Sequence, residues 1–100
     1  MTRKIVLSFA ESAVRDLEQL EAWYFEQGVP EVGQRLVIEI LNRIQGLRRN
    51  PDIGRLVPEF RKPFLRELIH PPFCIVFRRD PGRIRVVRVW RSERQMKLPD

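Results

Sequence analysis

The hydrophobic pattern of this chain changes character at Asn50-Pro51, and that change divides the fold. Before it, apolar residues recur at three- and four-residue steps: Ala13, Leu17, Leu20 and Tyr24, then Val37, Ile40, Leu41, Ile44 and Leu47. Such stripes predict two helices, each burying one face. After it come short runs rich in β-branched and aromatic residues, punctuated by proline and glycine, which read as strands. The residue before a proline avoids the helical region, so the second helix is expected to stop at Asn50.

Local signals place the remaining boundaries. Lys4-Ile5-Val6-Leu7 predicts a short first strand, and Ser8-Phe9-Ala10-Glu11 has the spacing of a capping box, so a helix is expected to start there. Gly28-Val29-Pro30 breaks that helix and opens the next, with glycine past one helix end and proline at the following start. So short a link makes an antiparallel hairpin. Residues 52–59 read as a loop, 64–69 and 73–77 as strands with a turn at His70-Pro71-Pro72, and Asp80-Pro81-Gly82-Arg83 as a type II turn into a last strand over 84–90. A polar tail covers about 92–100. The order strand, helix, helix, strand, strand, strand predicts one two-layer α+β domain spanning residues 1–100. Its helical hairpin packs on one face of a mainly antiparallel three- to four-stranded sheet. In the last strand Ile84, Val86 and Trp90 occupy one alternation set and Val87 and Val89 the other. That suits a central strand whose second face meets a partner.

The net charge of +6 is unevenly placed. Residues 1–60 hold 8 Lys or Arg against 9 Asp or Glu, whereas residues 61–100 hold 11 against 4. Arginine outnumbers lysine 16 to 3, and five arginines fall between Arg83 and Arg94. Guanidinium groups form planar, bidentate bonds to carboxylate and phosphate, so this composition fits a surface that meets something anionic. The alternative is a solvated basic face. Arg15, Arg35, Arg43, Arg48 and Arg49 are expected to point outward, opposite the apolar stripes of the helices. No apolar run is long enough to span a membrane and no segment reads as a signal peptide, so the cytoplasm is the expected compartment. The single cysteine, Cys74, sits in an apolar strand and reads as a buried small hydrophobe. No Cys and His have ligand spacing and no glycine-rich loop precedes a helix, so neither a metal nor a cofactor is expected.

Several segments are familiar. The loop Pro51-Asp52-Ile53-Gly54-Arg55 with Pro58-Glu59, the strand Leu65-Arg66-Glu67 and the ending Val87-Arg88-Val89-Trp90-Arg91-Ser92-Glu93-Arg94, in this order of elements, resemble the ParE/RelE superfamily of bacterial toxins. The likeness covers nearly the whole chain. It implies the toxin of a type II toxin–antitoxin pair, silenced by a cognate ParD-like antitoxin whose flexible acidic segment folds onto it. It also implies one of two targets. ParE-like members poison DNA gyrase and block replication; RelE-like members cut messenger RNA on the ribosome.

Metal-free RNA cleavage needs a base for the 2′-hydroxyl, an acid for the leaving oxygen and cations for the phosphorus charge. RelE-like nucleases generally place a tyrosine or a His-Tyr pair near the end of the last strand, where this chain has neither from Trp90 to Met96. Arg91 stands roughly where a histidine is common and is too basic to shuttle protons. Tyr24 reads as helix packing, and His70 as a structural or solvated residue at a turn. For a nuclease, Arg55, Arg66, Arg79 and Arg88 would hold the phosphate and Glu59 would be the base, although Glu59 also reads as a salt-bridge partner shaping its loop. The reading preferred from sequence is therefore a gyrase-binding toxin whose contact residues are Arg88, Trp90, Arg91 and Arg94. Tryptophan and arginine are enriched at binding hot spots; alternatively Trp90 is a core residue ending the strand. A direct contact with nucleic acid is a further option. The antitoxin is expected on the helical hairpin and an adjacent open sheet edge.

Overall fold

The computed structural model describes residues 4–57, 60 and 62–91. Pro58, Glu59, Arg61 and the terminal residues 1–3 and 92–100, Arg94 among them, lie outside the described residues. Strand β1 (Val6–Phe9) is followed by helices α1 (Glu11–Glu26) and α2 (Pro30–Gln45), then by β2 (Arg55–Leu56), β3 (Leu65–His70), β4 (Phe73–Asp80) and β5 (Arg83–Arg91). The strands form one mixed sheet in the order β1-β5-β4-β3-β2, with β1 parallel to β5 and the other pairs antiparallel. The expected α+β architecture is present. The sheet has one strand more than the antiparallel meander plus β1, because Arg55 and Leu56, inside the expected loop, pair with Glu67 and Arg66.

The helical hairpin closes as its residues predict. Gly28 takes φ +81°, a conformation that costs glycine little. There the N–H of Gly28 donates to the carbonyl of Phe25 and that of Val29 to the carbonyl of Tyr24, the paired bonds of a Schellman motif. Pro30 then opens α2. The two helices approach closely at Gly33, where an added Cβ would stand 3.0 Å from that of Tyr24.

The expected capping box does not form. Ser8 lies in β1, held by the parallel register Leu7↔Ile84, Ser8↔Arg85 and Phe9↔Val86, and α1 starts only at Glu11 with Ala10 as a cap that lends no side chain. Ladder bonds to β5 outcompete the local cap. Helix α2 also ends earlier than expected, at Gln45, and tightens into a 3-10 turn over Gly46–Arg48 that still delivers Leu47 to the core.

The main core lies between hairpin and sheet. Ala13 and Leu20 of α1 and Ile40 and Ile44 of α2 meet Phe73, Ile75 and Phe77 of β4 and Ile84, Val86 and Val89 of β5. Leu36 and Val37 pack against this cluster; Leu41, expected in the stripe, is half-buried beside it. Burying such a side chain contributes about 1.5–3 kcal/mol. A smaller cluster on the opposite face joins Val57, Cys74 and Val76 with Leu65, Ile69, Val87 and Trp90. The second face of the sheet is therefore partly apolar and partly filled by the protein's own side chains. Arg15, Arg35, Arg43, Arg48 and Arg49 are all exposed.

Candidate functional site

Strand β5 outlasts the strand beside it, and that mismatch builds the site. The register with β1 runs only from Arg83 to Val86. Beyond it, α1 takes over the edge of β5. The N–H of Ala10 donates to the carbonyl of Val86 (2.8 Å), the hydroxyl of Ser12 to that of Val87 (2.6 Å), and the N–H of Val89 donates to Oδ2 of Asp16 (2.8 Å). A strand edge that would invite another chain is thus satisfied by a helix.

A β-bulge then re-aims the strand. Phe77 pairs with Val86 but Val76 pairs with Arg88, leaving Val87 without a partner on β4. The extra residue reverses the alternation. Val86 and Val89 consequently both enter the main core, while Val87 and Trp90 join the small cluster on the other face. This corrects the grouping expected from strict alternation, which set Trp90 with Ile84 and Val86, and Val89 with Val87.

The re-aimed residues bound a cleft of about 570 Å³ between α1 and the end of β5. Asp16, Gln19, Leu20, Trp23 and Tyr24 line it from α1, Phe73 from β4, and Arg88, Val89, Trp90 and Arg91 from β5. Three of the four contact residues expected from sequence, Arg88, Trp90 and Arg91, therefore converge here; the fourth, Arg94, lies outside the described residues. The Arg88 guanidinium forks onto Asp16, with Nε to Oδ2 at 2.8 Å and Nη2 to Oδ1 at 3.0 Å, and lies over the Trp90 ring at 4.8 Å. Asp16 is only 10% exposed and Arg88 44%. Hydrogen bonding to the Asp16 carboxylate outweighs burial and raises the pKa of Arg88 above its already strongly basic ordinary value. The guanidinium of Arg91 lies 5.7 Å from the Phe73 ring centre. Trp23, 51% exposed, stands edge-on to Tyr24 at 4.8 Å. The indole Nε1 of Trp90 is buried and has no hydrogen-bond partner among the described residues.

Sequence reasoning did not find Asp16 or Trp23, and assigned Tyr24 to packing alone. Tyr24 does pack on the core, and it also walls the cleft. Trp23 was legible as an apolar residue next to the helix stripe rather than on it.

The four described arginines considered for a nuclease divide between the two faces of the sheet. By register, Arg55, Glu67, Val76 and Arg88 share a rung of the sheet on the face of the small cluster. Arg66 instead pairs with Phe77 and Arg79 with Ile84, both core residues, so these two arginines belong to the helix-bearing face. Each is also engaged. Arg55 donates from Nε to Glu67 Oε2 at 2.6 Å, Arg66 to the carbonyls of Pro63 and Gly54, and Arg79 to the carbonyl of Asp80. Glu67, the partner of Arg55, is 2% exposed and also accepts a bond from the Cys74 thiol (3.3 Å); Glu59, expected as a base or as a salt-bridge partner shaping its loop, lies outside the described residues. His70 lies at the end of β3, with Nε2 3.6 Å from Glu39 of α2. Among the described residues no group of three His, Cys, Asp or Glu could hold a metal ion, and no helix is long and apolar enough to cross a membrane. The cleft thus gathers planar cations, aromatic faces and one unpartnered indole donor beside Asp16 and Tyr24.

Comparisons with known proteins agree with this fold. Residues 7–96 match the family described as ParE toxin of type II toxin-antitoxin system, parDE. A chain of the chromosomal ParDE toxin–antitoxin system from P. aeruginosa superposes with a TM-score of 0.73 at 25% identity, covering 88% of this chain and 96% of that one. A chain of the toxin–antitoxin complex RelBE2 from Mycobacterium tuberculosis superposes with a TM-score of 0.66 at 16% identity, covering 92% of this chain and 95% of that one, a likeness of fold. No curated protein sequence matches the chain.

Proposed function

The chain belongs to the ParE family of toxins of type II toxin–antitoxin systems, and we propose that it arrests growth in the cytoplasm by holding DNA gyrase through the cleft of Arg88, Trp90 and Arg91. The observation that carries this reading is the convergence of those three residues with Trp23 on one cleft. Aromatic and arginine side chains in a partly desolvated pocket are the usual anchors of protein interfaces. Arg94 extends the same basic ending of the chain. The nuclease reading has less support, because its arginines divide between the two faces of the sheet. The test is a supercoiling assay with purified gyrase and the purified toxin, paired with mapping of transcript ends after brief induction in cells. The proposal predicts loss of supercoiling and intact messengers. Cleavage within codons that Glu59→Ala abolishes without unfolding the protein would establish the ribosome-dependent nuclease instead.

A cognate ParD-like antitoxin completes the proposal. Away from the cleft, the hairpin exposes Val14 and Phe25, on one side of α1, and Ile38 of α2, with Phe25 at 70%. These exposed apolar side chains are the anchors this reading gives the antitoxin. The sheet ends in short strands, four residues in β1 and two in β2. Helix faces are therefore the larger part of the dock, and an acidic antitoxin tail neutralises the basic end of the chain.

A further inference from the structure

A second cleft, of about 510 Å³, opens at the other end of β5, where the β4–β5 turn meets the end of α2. Ile5, Pro51, Pro81 and Gly82 form an apolar floor, and Arg48, Arg49 and Arg79 supply three guanidinium groups. Arg48 and Arg49 also stand where cations complement a helix C-terminus. Arg79 has no such role: it comes from β4, with its side chain only 20% exposed. Its Nη1 donates to the carbonyl of Asp80, but its Nε is buried without a hydrogen-bond partner among the described residues. The Asp52 carboxylate, 79% exposed, forms an ion pair with that Nε at 3.4 Å, without hydrogen-bond geometry. The one carboxylate lining the cleft, that of Asp80, is engaged by Arg78 at 2.7 Å. Neither Arg48 nor Arg49 forms an ion pair with a described residue.

We propose that this cleft seats the phosphate of a nucleotide unit, as carried by a nucleic-acid backbone, on Arg48, Arg49 and Arg79. A phosphate that displaces the exposed Asp52 carboxylate from Arg79 would pair with all three guanidinium groups at once. Guanidinium forks match phosphate geometry. The floor of Ile5, Pro51 and Pro81 gives the attached sugar and base an apolar surface, which a bare anion would not use. Two exposed arginines at the mouth suit a chain with successive phosphates, since an isolated ion among exposed charges is strongly screened by salt.

The experiment uses the full-length toxin, a short fluorescein-labelled single-stranded oligonucleotide, a mononucleotide and inorganic phosphate. Binding of the oligonucleotide is followed by anisotropy across a salt series, and the Arg79 Nε–H resonance by NMR. The double variant R48Q/R49Q changes only exposed side chains and is expected to fold. It should weaken oligonucleotide binding and reduce the slope of log affinity against log salt by about 1.4, two single-strand contacts at about 0.7 each. The Arg79 resonance should shift with oligonucleotide and less with inorganic phosphate. A mononucleotide that binds as tightly as the oligonucleotide supports the site and assigns it to free nucleotides. An unmoved Arg79 resonance together with an unchanged salt slope overturns the proposal, as does a polyglutamate peptide that binds this cleft more tightly than any phosphate ligand. Gyrase inhibition relies on the cleft at the opposite end of β5, so the supercoiling result is read independently.

Discussion

Asp16 decides what Arg88 can do. Its carboxylate accepts two bonds from the guanidinium and one from the N–H of Val89, so one side chain fixes the cation over the Trp90 ring and closes the strand edge. A double-mutant cycle with Asp16→Asn and Arg88→Gln, read by urea denaturation, should give a coupling of about 1 kcal/mol, held to that size because Arg88 is partly exposed and screened by solvent. The pKa of Arg88 is raised in the folded state, so its contribution is complete below the unfolded-state value and fades only as pH climbs through the folded one. Both lie in strongly alkaline solution. The stability lost in Arg88→Gln should therefore be constant between about pH 6 and 9; a loss that varies across that window would assign the stabilisation to another group. The arginines of the last strand were legible as residues because their number exceeds what a strand needs. Asp16 was not, since 72 residues separate it from Arg88 and no local pattern records a pair that distant.

Among the elements, β5 carries the site because two irregularities act on it. The bulge opposite Val76 turns Trp90 to the second face, and the departure of β1 at Phe9 hands the strand edge to Ser12 and Asp16. Asp16→Ala should speed amide exchange at Val89 selectively; unchanged protection there would mean that the edge is closed in another way. The short strand β2 depends on a close approach: a Cβ at Gly54 would lie 2.5 Å from Cζ of the buried Phe77. Gly54→Ala should cost about 1–3 kcal/mol, as overpacking of a filled core does, and lower the melting temperature accordingly. A neutral substitution would show that the Phe77 ring yields freely. The helices and the three long strands were readable because their periods and their Pro and Gly punctuation agree with the final packing. Ser8 misled because its capping spacing is real but the parallel ladder to β5 claims it first. The bulge and β2 were invisible because each is set by what lies across the sheet rather than by the residues that form it.

At the scale of the whole molecule, two basic clefts lie at opposite ends of β5 and the hairpin exposes Phe25 and Ile38. The charge asymmetry between residues 1–60 and 61–100 was visible in composition, and folding places part of the basic half on the rim of the cleft between α1 and β5. The order of elements was enough to reach the fold, whereas the gathering of Arg88, Trp90 and Arg91 with Trp23 required the helix–sheet crossing. Replacing Phe25 and Ile38 by glutamate, both well exposed, should leave the toxin folded and weaken its antitoxin complex by about 2 kcal/mol or more in a titration; an unaltered affinity would move the dock off the hairpin. The most direct measurement is DNA supercoiling by purified gyrase in the presence of micromolar toxin. Wild-type protein should abolish it, and Arg88→Ala combined with Trp23→Ala should restore it while the fold persists. Supercoiling unaffected by the wild-type toxin, alongside messengers cut on translating ribosomes, would contradict a protein built to grip rather than to break bonds.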